Sequence, residues 1–78
     1  MQEKGYILTE FAREHGYIGT IDEEDIDDAL RGTFTILRQE DVPATPEYIY
    51  LCLRSMSKRD VEAALRKLVR AGLVKELE

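Results

Sequence analysis

Residues 57–76, SKRDVEAALRKLVRAGLVKE, decide more of the fold than any other stretch of the chain. Ser57 stands where a helix N-cap would, with Asp60 three residues on to close a capping-box pair. Behind them Val61, Ala64, Leu65 and Leu68 fall on one helical face, while Arg59, Ala63, Arg66 and Arg70 fall on the opposite one. Ala71 and Gly72 then end the periodic pattern, and LVKEL alternates as a strand does. The spacing therefore predicts an amphipathic helix over about 57–71 that runs through a glycine into a strand.

Working backwards, Thr45-Pro46 is a helix start, a hydroxyl cap followed by proline in the first turn. The helix it opens, PEYIYLCL, is apolar nearly all round, so it should be sandwiched between other elements or against a partner. Tyr48 and Tyr50 point to different sides, and at least one should reach the surface. With Leu51 they are candidates for a protein interface; packing against the N-terminal segment is the alternative. Cys52, inside the same run, reads as a small buried hydrophobe. DVPATP breaks the chain with two prolines, and Val42-Pro43-Ala44 suits a very short edge strand.

Before that break, a helix should run from about Asp22 to Gln39 or Glu40, with Thr20 or Asp22 as its cap. Ile26, Leu30, Phe34 and Leu37, with Ala29 and Thr33 beside them, form its inward stripe. Tyr17–Ile21 suits a turn or short strand. Ile7, Leu8, Phe11 and Ala12 have helical spacing, predicting a first helix over about 4–15 closed by Gly16.

Seventy-eight residues make one domain with a small core. The 44 % apolar content argues for a folded chain, with room for a binding face but hardly for a deep active-site cleft. The formal charge is −5, unevenly placed. Residues 1–41 hold four basic and eleven acidic side chains, whereas residues 42–78 hold seven basic and five acidic. Asp22–Asp28 packs six carboxylates into seven positions without the glycine and ligand spacing of a calcium loop. Capping and the helix dipole account for them as a helix start; as a surface they could instead dock a basic partner or mimic nucleic acid.

The single cysteine has no partner for an internal disulfide or a metal site. His15, at a helix end, suits the dipole better than catalysis. Ser55 and Ser57 lack a neighbouring base that would make either a nucleophile, and no glycine-rich phosphate loop occurs. The expectation is a non-enzyme without cofactor or metal. The N-terminus lacks a signal peptide's apolar stretch and no apolar run reaches membrane-spanning length, so no membrane role and a cytoplasmic location are expected.

From Thr45 onward the order is capped short helix, tight turn, Ser-capped basic helix, glycine, strand. This resembles the winged helix-turn-helix family, whose recognition helix commonly ends in a pattern like Leu68-Val69-Arg70-Ala71-Gly72-Leu73-Val74. The resemblance covers about 22–77. It makes the 22–40 helix the family's first helix, VPA its first strand, and residues 1–21 an N-terminal extension packing on a winged-helix-like domain at 22–78. Ser55 stands in the turn where many members have glycine, and Leu51, Cys52 and Leu53 fill the preceding helix where they carry a small residue. Six residues after Gly72 suffice for one strand but not a hairpin, so the wing is expected to be missing.

The implied fold is mainly α: a three-helix core, an N-terminal helical extension and a minimal β-sheet lacking the wing hairpin. The implied function is DNA binding by a small transcriptional regulator, working as a homodimer with helix 57–71 as the reader. Arg59, Ala63 and Arg66 would then face the groove, Ser57, Lys58, Lys67 and Arg70 would hold the backbone, and Arg54 would add a phosphate contact. The alternative is a non-enzymatic protein-interaction module that docks through the acidic or tyrosine-rich surface.

Overall fold

The computed structural model describes residues 4–77. In chain order the elements are strand β1 (Gly5–Leu8), helix α1 (Glu10–His15), a 3-10 turn at Glu23–Asp25, helices α2 (Asp28–Gln39), α3 (Pro46–Leu53) and α4 (Lys58–Arg70), and strand β2 (Val74–Leu77). The chain is thus mainly helical with a small antiparallel sheet.

Helix α4 forms as its sequence requires. The Ser57 hydroxyl accepts from the Asp60 amide at 3.1 Å, and the Asp60 carboxylate accepts from the Ser57 amide at 3.4 Å. Val61, Ala64, Leu65 and Leu68 are buried, packed against α2 and α3. At the far end Gly72 takes φ 78°, a left-handed value that an L side chain adopts only with strain. The Gly72 amide donates to Val69 O and the Leu73 amide to Leu68 O, both at 3.0 Å. This is a Schellman closure, and Leu68 and Leu73 are both fully buried beneath it. It explains why the helix ends there and why the chain leaves as a strand.

Helix α2 starts later than the sequence suggested. Asp22 makes no capping bond and only begins the 3-10 turn. The cap is Asp27, whose carboxylate accepts from the Leu30 amide at 2.9 Å. Ending the turn before α2 keeps Ile26 half-buried against the core while all six carboxylates of 22–28 stay exposed. Ala29, Leu30, Thr33, Phe34 and Leu37 form the inward stripe as anticipated. Gly32 lies where α2 meets α3: a Cβ there would come within 2.8 Å of a Leu53 methyl, so a larger residue would require that side chain to move.

The first segment departs most from the sequence reading. Instead of one helix over 4–15, residues 5–8 are extended and only 10–15 are helical. Ile7 and Leu8 fit helical spacing with Phe11 and Ala12, but Thr9 caps α1 by accepting from the Ala12 amide, and long-range pairing claims the residues before it. Tyr6 exchanges both backbone hydrogen bonds with Ala44, at 2.8 and 2.9 Å. On its other side β1 pairs with β2, Tyr6 opposite Glu76 and Leu8 opposite Val74. β1 is therefore a middle strand, and Ala44 provides the short edge foreseen at 42–44. Leu8 and Ala12 enter the core, whereas Phe11 is 52 % exposed and lies over the His15 ring. Arg13 fastens α1 to the end of α2 by donating to Glu40 O at 2.7 Å, where the helix dipole favours a cation.

Thr33 is fully buried, and its hydroxyl has no hydrogen-bond partner among the described residues. A buried hydroxyl left unmade costs about 1–3 kcal/mol, and an apolar group of the same shape removes that cost. Thr33→Val should raise unfolding free energy by about 1 kcal/mol in urea denaturation; a loss of stability would mean that the hydroxyl is bonded after all.

Candidate nucleic-acid interface

Of the residues marked out for nucleic acid, Arg59, Arg66 and Arg70 are exposed, with Ala63 half-buried between them. At 100° per residue these four lie within a narrow arc of α4, opposite its buried stripe. From Arg59 to Arg70 the arc runs about 16 Å along the helix. The three guanidinium groups have no ion-pair partner among the described residues. The local pairing of Glu62 with Arg66 that their spacing allows is not formed.

The other candidates are placed differently. The Ser57 hydroxyl is occupied as the cap of α4, and Lys58 is half-buried on another side of the helix. Lys67 turns away from the arc: its ammonium donates to Asp25 O at 3.1 Å and sits 3.5 Å from the Asp27 carboxylate. The sequence pointed Lys67 at a phosphate, whereas the fold gives it carboxylate and carbonyl oxygens of the acidic segment.

Arg54 lies exposed between α3 and α4, with φ 43°. The turn thus takes a left-handed φ at Arg54, one residue before Ser55. An arginine there bears backbone strain that glycine would not.

Carboxylates border the basic arc on both sides. Towards the sheet an open cavity of 330 Å³ is lined by Tyr6, Arg66, Val69, Arg70 and Glu76. Lys4 lies 2.6 Å from Glu76, and the Tyr6 hydroxyl donates to the same carboxylate at 3.3 Å. The hydrogen bond from Lys4 holds the Glu76 carboxyl below its ordinary value. Burial, then the charge of Glu76, pushes the Tyr6 phenol up. On the opposite side a second cavity of 330 Å³ brings Asp22 and Asp25 beside Lys67 and Arg70. The positive surface is therefore a stripe one helix wide.

A second surface lies on α3. Pro46 and Ile49 are buried, and Tyr50 and Leu53 pack partly against the core. Tyr48 and Leu51 are 44 % and 59 % exposed, with Val42 nearby in sequence at 63 %. Cys52, expected inside, is exposed too. The helix is covered on one side only, so the apolar character of its other side has no use within the described residues. The Tyr48 phenol donates to Glu40, and this bond, followed by the neighbouring Cys52, pushes its pKa up to about 12.

Among the described residues no group of three His, Cys, Asp or Glu side chains could hold a metal ion, and no helix is long and apolar enough to cross a membrane. The chain matches no protein-family model, no curated protein and no solved structure.

Two stability predictions follow from the caps. Asp27 lies below its ordinary value of 3.8, chiefly because its carboxylate accepts from the Leu30 amide; burial opposes this, and Lys67 adds to the lowering. A lowered carboxylate contributes stability in full above its unfolded pKa and loses it as pH falls through the folded value. Asp27→Ala should cost about 1 kcal/mol near neutral pH. That gap from the native chain should narrow in acid below the ordinary value, as read by denaturation at both pH values. Arg54→Gly should stabilise by about 0.5–1 kcal/mol through relief of the left-handed strain; an unchanged or lower melting temperature would place the strain elsewhere.

Proposed function

We propose that the chain is a small cytoplasmic DNA-binding protein of winged-helix type, acting as a transcriptional regulator rather than as an enzyme, with α4 as its reading helix. The observation that carries this is the row of Arg59, Arg66 and Arg70 on the outer face of α4, without ion-pair partners among the described residues. Arginine offers the bidentate geometry that guanine O6 and N7 accept in the major groove. Arg54, strained in the turn and exposed, is suited to a phosphate. Ala63 leaves room between the arginines for a base edge or a thymine methyl. β1 supports the reading as well, because it lies antiparallel to β2 where the returning strand of a hairpin would lie.

The flanking carboxylates set the character of binding. Lys67 is shared with Asp27, and Glu62 and Glu76 stand beside the arc, so few phosphates are neutralised by each chain. With about three contacts, the slope of log affinity against log salt should be near −3 for each chain.

A second reading, a protein-interaction module, draws on the exposed Tyr48, Leu51 and Cys52 of α3. Titration against mixed-sequence duplex DNA at low and high salt separates the two. Salt-sensitive binding is expected, and Arg66→Glu should weaken it at least ten-fold, about 1.4 kcal/mol or more. Absence of binding by the native chain at low salt would falsify the DNA reading.

A further inference from the structure

We infer that the outer face of α3 is a homotypic interface at which two copies of this chain pair antiparallel across a two-fold axis near Leu51.

The exposed arc of α3 is apolar at its centre, where Leu51 projects with Tyr48 and Cys52 beside it. Glu47 lies in the first turn of α3, on the Leu51 side by helical spacing, and Arg54 stands just past the other end of the helix, in the turn. Both are exposed, and neither carries an ion pair with a described residue. Such a pair cannot close on itself within one short helix, because its members stand at opposite ends. A two-fold near Leu51 runs the second helix in reverse, which brings Glu47 of each copy to Arg54 of the other. The operation satisfies both charges twice and stacks the apolar centre on itself.

This self-complementarity argues for a second copy as the occupant. In an isologous contact each patch must supply its own complement, and this one does so although the molecule as a whole carries −5. The patch continues past the start of α3, where Val42, Pro43 and Tyr48 line an open cavity of 310 Å³. An eight-residue helix is only about 12 Å long, so the contact falls below the usual ~800 Å² per partner. It belongs with weak, reversible interfaces. The pairing stands independently of what α4 binds, and Arg54 takes part in it from the turn, whether or not it also meets a phosphate.

Sedimentation equilibrium without DNA, over a wide range of protein concentration, tests the pairing. The mass should rise from 9.0 kDa towards twice that value. Leu51→Gln, with its fold checked by circular dichroism, should weaken association roughly ten-fold. Glu47→Arg and Arg54→Glu should each weaken it alone, because like charges then face each other. An equimolar mixture of those two variants should associate again, since every facing pair becomes Arg with Glu. A chain that stays monomeric at all concentrations overturns the inference. So does a dimer indifferent to Leu51→Gln, or a mixture no better than its components. Because DNA is absent, none of these outcomes bears on the DNA reading.

Discussion

The closure at Gly72 is the constraint from which the rest of the architecture follows. Leu73 returns its amide to Leu68 O, and the two leucines are buried together at the base of α4. That single reversal fixes where α4 stops, the direction in which β2 leaves, and so the line along which β1 must lie. Thr9 shows how tightly the next layer depends on it: its amide donates to Leu73 O at 2.9 Å and its hydroxyl to the same carbonyl at 3.2 Å. The same hydroxyl caps α1. One turn thus reaches, through one carbonyl and one threonine, to the start of the chain.

β1 solves a problem that β2 alone could not. A lone strand of four residues beside a helix leaves its backbone groups to water and gains little. With Tyr6 bonded to Ala44 on one side and β1 paired to β2 on the other, three distant parts of the chain share one small sheet. The close approach of Gly5 to Pro43, where a Cβ would come within 2.7 Å, belongs to the same contact. Residues 5–15 are therefore not peripheral in their energetic role, because Leu8 and Ala12 sit in the same core as Phe34 and Leu68.

What the sequence made legible were features with a local cause. The caps at Thr45 and Ser57, the proline start of α3, the buried stripe of α4 and its glycine exit depend on residues within a few positions of one another. What it hid were features decided at a distance. Ile7 and Leu8 suited a helix by spacing, and pairing with Lys75 and Val74, dozens of residues away, draws them into a strand. Thr20 and Asp22 were the expected caps for α2, and the helix instead starts from the Asp27 cap, past the half-buried Ile26. For the candidate site, periodicity placed Arg59, Arg66 and Arg70 on one face, but it carried no sign that Lys67 would be held by Asp25 and Asp27. Cys52 was misplaced for a related reason: a uniformly apolar helix does not say which of its sides the fold leaves uncovered.

On the proposed reading, the acid around α4 becomes part of how the helix would discriminate. Broad positive surfaces bind any duplex, because neutralised phosphates supply most of the non-specific affinity. Here Glu76 on one edge and the 22–28 segment on the other narrow the positive stripe to the helix itself, and the remaining charge repels DNA that is not aligned with it. A chain of this kind gives up background affinity, so the ratio between a matched and a random site depends mainly on Arg59, Ala63 and Arg66 at base edges. Pairing through α3 would then restore, by joining two narrow stripes, the affinity that each forgoes alone. On that reading the acidic balance of the molecule and its basic helix would form one arrangement, in which weak non-specific binding would make a small reading surface selective.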